Sequence, residues 1–244
     1  MTRRLLDLCS WALDCLIELG DSLTQAVLLG ESLVADSKRV LGADHPDTLA
    51  TRNNLAIAYS DAGRTDEAIR LYEQILADME RVLGADHPGT LITRNNLGDD
   101  YRIAGRTDEA IRLLERTLAD RERVLGADHP RTLTTHGNLA IAYSEAGRTD
   151  EAIRLLEQTL ADMERVLGAD HPETLVTRYN LAIDYRIAGR TDEAIRPLEQ
   201  TLADMERVLG ADHPYTLATR SNRTDAYRDA GSTAGEIDAQ PSDP

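Results

Sequence analysis

Phenylalanine is absent from this sequence, and tryptophan occurs once, at Trp11. With aromatics at only 4% of 244 residues, a single bulky core has little to build on, whereas thin layers of Leu, Ile, Val and Ala need few rings. Cysteine is scarce too. Cys9 and Cys15 lie six residues apart in a segment that reads as helical, which turns them to different faces and disfavours a disulfide. Two isolated thiols fit a reducing compartment. Long apolar runs are missing. The start, Met1 to Leu6, imitates an export signal, but Asp7, Asp14 and Glu18 interrupt it, and no stretch has the length of a membrane span. A cytoplasmic location is the expectation. Positive charge is in deficit: 43 acidic residues face 27 basic ones, for a net charge of −16. Such a field repels nucleic acid and anionic membranes and favours a cationic partner, although most surplus carboxylates simply solvate helix faces. No Gly-rich phosphate loop, nucleophile elbow, HExxH pair or asymmetric set of catalytic carboxylates occurs, so neither an enzyme activity nor a cofactor is expected.

What is present is self-similarity. The dipeptide His-Pro occurs at His45, His87, His129, His171 and His213, always 42 residues apart. Residues 45–86 read HPDTLATRNNLAIAYSDAGRTDEAIRLYEQILADMERVLGAD, and residues 129–170 differ from them at seven positions. Such near-identity requires one local structure in every repeat. Each repeat divides into two helices. Helix A begins at its proline (Pro46), where a missing N–H costs nothing, and stops near Ala62, where Gly63 takes the left-handed conformation. Thr65 is expected to cap helix B, whose first turn sets Asp66 and Glu67 against the positive end of the dipole. Helix B runs to Leu83, ahead of Gly84.

Apolar residues give each helix one stripe: Leu55, Ala56 and Tyr59 in helix A, and Ala68, Leu71, Tyr72, Ile75, Met79 and Leu83 in helix B. A single helix pair cannot bury both stripes, so stability must come from stacking on neighbours. One repeat carries an irregularity. Pro197 stands where Leu71, Leu113 and Leu155 stand, and its missing N–H predicts a kink or a late start of that helix.

The Leu-Ala…Tyr…Gly…Glu-Ala…Tyr pattern resembles the tetratricopeptide repeat, whose usual period is about 34 residues. The longer period, together with LGADHP, NNLAIAY and DEAIRLYEQ, looks specifically like the kinesin light chain repeat of bacterial type, over about residues 26–231. The resemblance implies an all-α fold, a right-handed superhelical α-solenoid of antiparallel helix pairs. On this division residues 1–44 are a degenerate N-terminal repeat, and residues 45–86, 87–128, 129–170 and 171–212 are full repeats. Residues 213–230 form a capping helix of a truncated fifth repeat, and 231–244 an acidic tail expected to be disordered. The first helix carries Leu5, Leu6, Leu8, Trp11, Leu13, Leu16 and Ile17 on more than one side, so it caps the array or packs on another subunit.

One helix A position is invariant within the chain: Asn54, Asn96, Asn138, Asn180 and Asn222. It lies roughly 145° around the helix from the apolar cluster, so stacking should line these residues along one groove. An amide offers both donors and an acceptor, which suits an extended peptide backbone of any sequence. In kinesin light chains the matching Asn grips the main chain of the ligand, and the resemblance carries that role to all five. The competing reading is an Asn that caps helix A or bridges it to the preceding helix B. Specificity is assigned to groove positions that vary: Asn53, Asn95, Gly137, Tyr179 and Ser221, then Ile57, Asp99, Ile141, Ile183 and Asp225. Three residues further on, Ser60 and Ser144 alternate with Arg102 and Arg186, and Arg228 ends the series.

The five repeat-start histidines read as helix starts rather than metal ligands, because zinc donors must converge within about 2 Å of one ion. His136 is likewise an isolated substitution. Arg64, Arg106, Arg148 and Arg190 are expected to hold acidic neighbours or remain solvated. The expected function is a scaffold that binds a protein or peptide in its groove. The alternatives are a self-assembly module, forming a homo-oligomer through the first helix, and a sensor array working with a signalling ATPase.

Overall fold

A computed structural model describes residues 3–19 and 22–231 of the chain. Among them are eleven α-helices and no strand. These are α1 (Arg3–Leu19), α2 (Leu23–Leu41), α3 (Pro46–Asp61), α4 (Thr65–Val82), α5 (Pro88–Ile103), α6 (Thr107–Leu125), α7 (Pro130–Glu145), α8 (Thr149–Val166), α9 (Pro172–Ile187), α10 (Thr191–Val208) and α11 (Pro214–Asp229). The chain separates into two compact units, residues 1–124 and 125–244. Within each unit consecutive helices pack in pairs, and each helix A also touches the next helix A: α1 with α3, α3 with α5, α7 with α9 and α9 with α11. The tail expected to be disordered lies, from residue 232 on, outside the described residues.

Each helix boundary has a local cause. His45 is the N-cap of α3, its Nδ1 accepting the Asp47 N–H at 3.1 Å, with Pro46 next. The same bond recurs at His87, His129, His171 and His213, so the imidazoles satisfy helix donors that would otherwise be orphans. Among the described residues no group of three His, Cys, Asp or Glu side chains is placed to hold a metal. At the other end, the Gly63 N–H donates to Ser60 O at 2.9 Å and the Arg64 N–H to Tyr59 O at 2.8 Å. That pair of bonds is a Schellman closure, and it needs Gly63 at φ +72°.

Two expectations change at this turn and beyond it. Thr65 is the first helical residue, and the N-cap is Arg64, which makes no side-chain cap bond. The reason is economy of chain: Arg64 completes the closure of α3 and so already borders α4. Its guanidinium lies 4.4 Å above the Tyr59 ring and grips Glu67 at 2.5 Å, an arrangement of cation–π contact and ion pair that recurs at Arg106, Arg148 and Arg190. The late start expected at Pro197 is also absent. Helix α10 begins at Thr191 and runs unbroken to Val208, the same 18 residues that α4 and α8 span. Burial of Ala194, Leu198, Leu202 and Met205 holds the helix through the lost hydrogen bond.

The stripes bury much as their spacing predicts. Leu49, Ala56, Ala68, Ile69, Tyr72, Ile75, Met79 and Leu97 form one cluster, with Leu71 and Leu83 only partly covered. Ala140, Ile153, Leu156, Leu181, Ala182, Tyr185, Ala194, Leu198 and Ala226 form the counterpart in the second unit. Less expected are charged residues in the same layers. Arg52, Arg94 and Arg178 are buried and reach Asp78, Asp120 and Asp204 of the following helix B at 2.6, 2.7 and 2.9 Å.

Candidate functional site

Where successive A helices touch, one position controls the seam. Asn53 of α3 is buried, and its Oδ1 accepts the hydroxyl of Thr93 on α5 at 2.9 Å, which ties the two helices together. Asn95 is equally enclosed, at 7% exposure. Asn53 therefore lies inside its seam, and neither side chain is on an open face. The equivalent residue in α7 is Gly137, and a Cβ built there meets nothing within 4 Å. Between α7 and α9 this leaves a hollow of about 270 Å³ lined by Gly137, Asn138, Ile141, Val176, Thr177 and Asn180, among others. A second hollow of about 200 Å³ adjoins it through the shared Ile141 and Asn180 and adds Ser144, Glu145, Ile183 and Asp184. The Ile, Asn and Gly positions of this stretch are thus brought onto one continuous surface.

The Asn series divides according to what each amide does. Asn54 donates to Asp14 at 2.5 Å, and Asn96 to the Tyr72 hydroxyl at 3.4 Å. Asn222 donates to the Tyr179 hydroxyl at 2.9 Å and accepts from Arg186 at 2.7 Å. Those three hold neighbouring helices: Asn96 reaches the preceding helix B, as the bridging reading has it, whereas Asn54 and Asn222 reach the preceding helix A. Asn138 and Asn180 are half-buried and line the hollows, and among the described residues neither amide is engaged in a hydrogen bond with the protein. The remaining variable positions are dispersed. Ile57 packs against the core of the first unit, Arg102 pairs with Asp99 on its own helix, and Arg186 also reaches Asp229 at 2.9 Å. Tyr179 meets Tyr215 edge-on, ring centres 6.4 Å apart, and Tyr215 walls the larger hollow.

Asp100 and Asp184 were not singled out by sequence. They replace the alanines found at Ala58, Ala142 and Ala226, and that exchange at a core position was the available signal. Each is 3% exposed, and each accepts a hydroxyl from the preceding helix A: Ser60 to Asp100 at 2.5 Å, and Ser144 to Asp184. The alternation of Ser with Arg between repeats therefore has a structural origin, since each Ser supplies the donor that the next Asp needs. Burial pushes Asp100 up to about 6 against the pull of Ser60, and burial likewise raises Asp184.

The sign of the pH effect follows from the raised value. The protonated acid is the form the fold prefers, so its contribution is complete below the ordinary value near 3.8 and is lost as pH rises through about 6. Asp100→Asn, which stays neutral and keeps an acceptor for Ser60, should stabilise the chain by about 1–2 kcal/mol at pH 7.5 and by almost nothing at pH 4. Urea unfolding at the two pH values measures this, and an equal effect at both would contradict it.

The helix pairs, their 42-residue period and the seam geometry define a class of repeat scaffold. The sequence profile of the tetratricopeptide repeat matches residues 14–80, 61–122, 102–164 and 150–206, and the chain belongs to that family. Its relatives of known structure include a putative kinesin light chain. A crystal structure of nearly identical repeats from a putative kinesin light chain of Podosopora anserina shares 33% identity at a TM-score of 0.69, covering 83% of this chain and 95% of that one. BtubC (BKLC) from P. vanneervenii aligns at a TM-score of 0.74 and 18% identity, over 91% of this chain and 95% of its own. The apo form of RapI aligns at 0.76 and 12% identity, over 96% and 79%, a likeness of fold alone. No curated protein matches the chain. Among the described residues no helix is long and apolar enough to cross a membrane.

Proposed function

We propose that this tetratricopeptide scaffold, a non-catalytic protein of the cytoplasm, binds an extended segment of a partner protein along the face between α7 and α9. The observation that carries the reading is the pair of unengaged amides, Asn138 and Asn180, at the edge of two adjoining hollows. Equivalent residues one repeat apart lie along a row, so their amides can meet successive peptide groups of an extended chain, one donor and one acceptor each. The other three Asn residues keep neighbouring helices in place, which makes the binding face shorter than the five-residue ladder.

The test is capture of an array of short peptides by the full chain and by the double variant Asn138→Ala/Asn180→Ala. Two hydrogen bonds of roughly 1 kcal/mol each predict at least a tenfold loss of affinity at unchanged helicity. Equal capture by both proteins removes this mechanism. A second reading is self-association through α1, favoured by Trp11 at 67% exposure and by Leu28 on α2, also exposed. Light scattering across a range of concentrations decides it, and a strict monomer would exclude it.

A further inference from the structure

The larger hollow exists because of one residue. In α3 the seam is closed by Asn53 bonded to Thr93. In α7 the matching residue is Gly137, and Thr177, the counterpart of Thr93, bonds only Glu173 O and the Met163 sulfur, at 2.9 and 3.2 Å. The first seam of the chain gives an independent instance. There Trp11 occupies the matching position and is largely exposed, and a hollow of about 310 Å³ lies beside it, lined by Leu6, Trp11 and Thr51, among others. Between α9 and α11 the position is Tyr179, whose ring fills space against Tyr215. Hollows therefore appear where the residue at this position does not bridge to the next helix A.

We infer that Gly137 is a specificity-determining residue, and that the seam it opens receives one aliphatic side chain from a partner segment whose flanking residues are basic. The inference rests on the peptide-binding reading above and adds to it the chemistry of the ligand. The hollow is walled by Ile141, Met163, Pro172, Val176 and Tyr215, an apolar set. At about 270 Å³ it falls below the roughly 300–1,000 Å³ of small-molecule sites, so it suits a single side chain. Its neighbours are acidic. Glu173 borders the larger hollow, and the residues lining the two include no Lys or Arg. A chain of net charge −16 strengthens the same preference for cations.

Gly137→Asn supplies the test, because it restores the residue that α3 and α5 already carry and so closes the seam without foreign geometry. The probes are fluorescein-labelled peptides of Gly and Ser with one central residue varied through all types, flanked by either two Lys or two Glu, titrated by fluorescence anisotropy. The natural chain should prefer a central Leu, Ile or Met over Gly by about tenfold, and Lys flanks over Glu flanks. Gly137→Asn should abolish the aliphatic preference, leave the Gly-centred peptide as it was, and raise the melting temperature. Should the aliphatic preference survive Gly137→Asn, the seam is not the receptor, while peptide binding by the Asn pair stands. Absence of binding by every peptide overturns both. A preference for Glu flanks overturns the assignment of a basic partner.

Discussion

Replacing Arg94 by alanine is expected to destabilise the first unit by about 3 kcal/mol, the largest loss from any polar residue in the chain. Arg94 heads the large side chains that are fully enclosed, at 0% exposure. Its Nη1 donates to Asp120 at 2.7 Å and its Nη2 to Glu80 at 2.8 Å. Truncation therefore does two things: it empties the space of a long side chain in a packed layer, and it removes the buried cation that Glu80 and Asp120 share, leaving them only the exposed Arg116 at 3.8 Å and Arg123 at 3.0 Å. Breaking one side of a buried pair costs about 3–5 kcal/mol, and the lower figure applies because both carboxylates retain some contact with water. Arg94→Met keeps most of the volume and should lose about half as much. Arg220→Ala is the control: that side chain is 41% exposed and pairs with Glu206, which predicts less than about 1 kcal/mol. The pH dependence adds a second signature. Partial burial pushes Asp120 up, but hydrogen bonds from Arg123 and Arg94 outweigh it and hold the carboxyl below its ordinary value. Its share of the stability is present above pH 4 and is lost as the acid protonates, so the difference between wild type and Arg94→Ala should shrink below that pH. Urea unfolding at pH 7 and pH 3.5 measures both; a shift smaller than about 0.5 kcal/mol at pH 7 would show that the arginine contributes no net stability.

Arg94 also marks what sequence could convey and what it could not. The scaffold was legible because its signals repeat: Pro46 and Gly63 fix where helix A starts and stops, and the stripe Ala68, Tyr72, Ile75 and Met79 buries as its spacing predicts. Missed residues were those whose role depends on a partner in another helix. Helical angle alone puts Arg52 and Asn53 away from the apolar stripe, yet both are buried, because a helix in a stack is covered on two sides and the seam between A helices has no periodicity of its own. The same limit explains the Asn series. Identity at five positions suggested one shared role, but the role is set by the residue each amide meets, and Asp14, Tyr72 and Tyr179 take up three of them. Gly137 and Asp100 were visible as departures from the repeat. A departure identifies where the structure must differ; only the neighbouring helix decides whether the difference opens a hollow or buries an acid.

Pro197→Leu should stabilise the second unit by about 2–3 kcal/mol, because a proline inside α10 is tolerated there and not accommodated for free. The seventh residue of that helix would normally donate its N–H to the carbonyl of Glu193, and the ring both removes the donor and crowds that carbonyl. A proline in a helix interior is about 3 kcal/mol less favourable than alanine. Part of this is offset, since proline restricts the unfolded chain and so contributes up to about 1 kcal/mol in the other direction. Leucine regains the bond and a contact as well: at the matching place Leu155 of α8 packs against the buried cluster of its unit. The reverse exchange, Leu155→Pro, should lose about 2–3 kcal/mol, because α8 and α10 have the same sequence at every position but this one. Urea unfolding gives the two free energies, and hydrogen exchange localises them, with slower exchange in α10 for Pro197→Leu and faster exchange in α8 for Leu155→Pro. If Pro197→Leu shifts stability by less than about 0.5 kcal/mol while Leu155→Pro is severe, α10 has adapted to its proline through packing. If both are mild, the stripe of Ala194, Leu198, Leu202 and Met205 dominates the helix so fully that one backbone hydrogen bond is immaterial, and repeats of this family tolerate prolines wherever that stripe is intact.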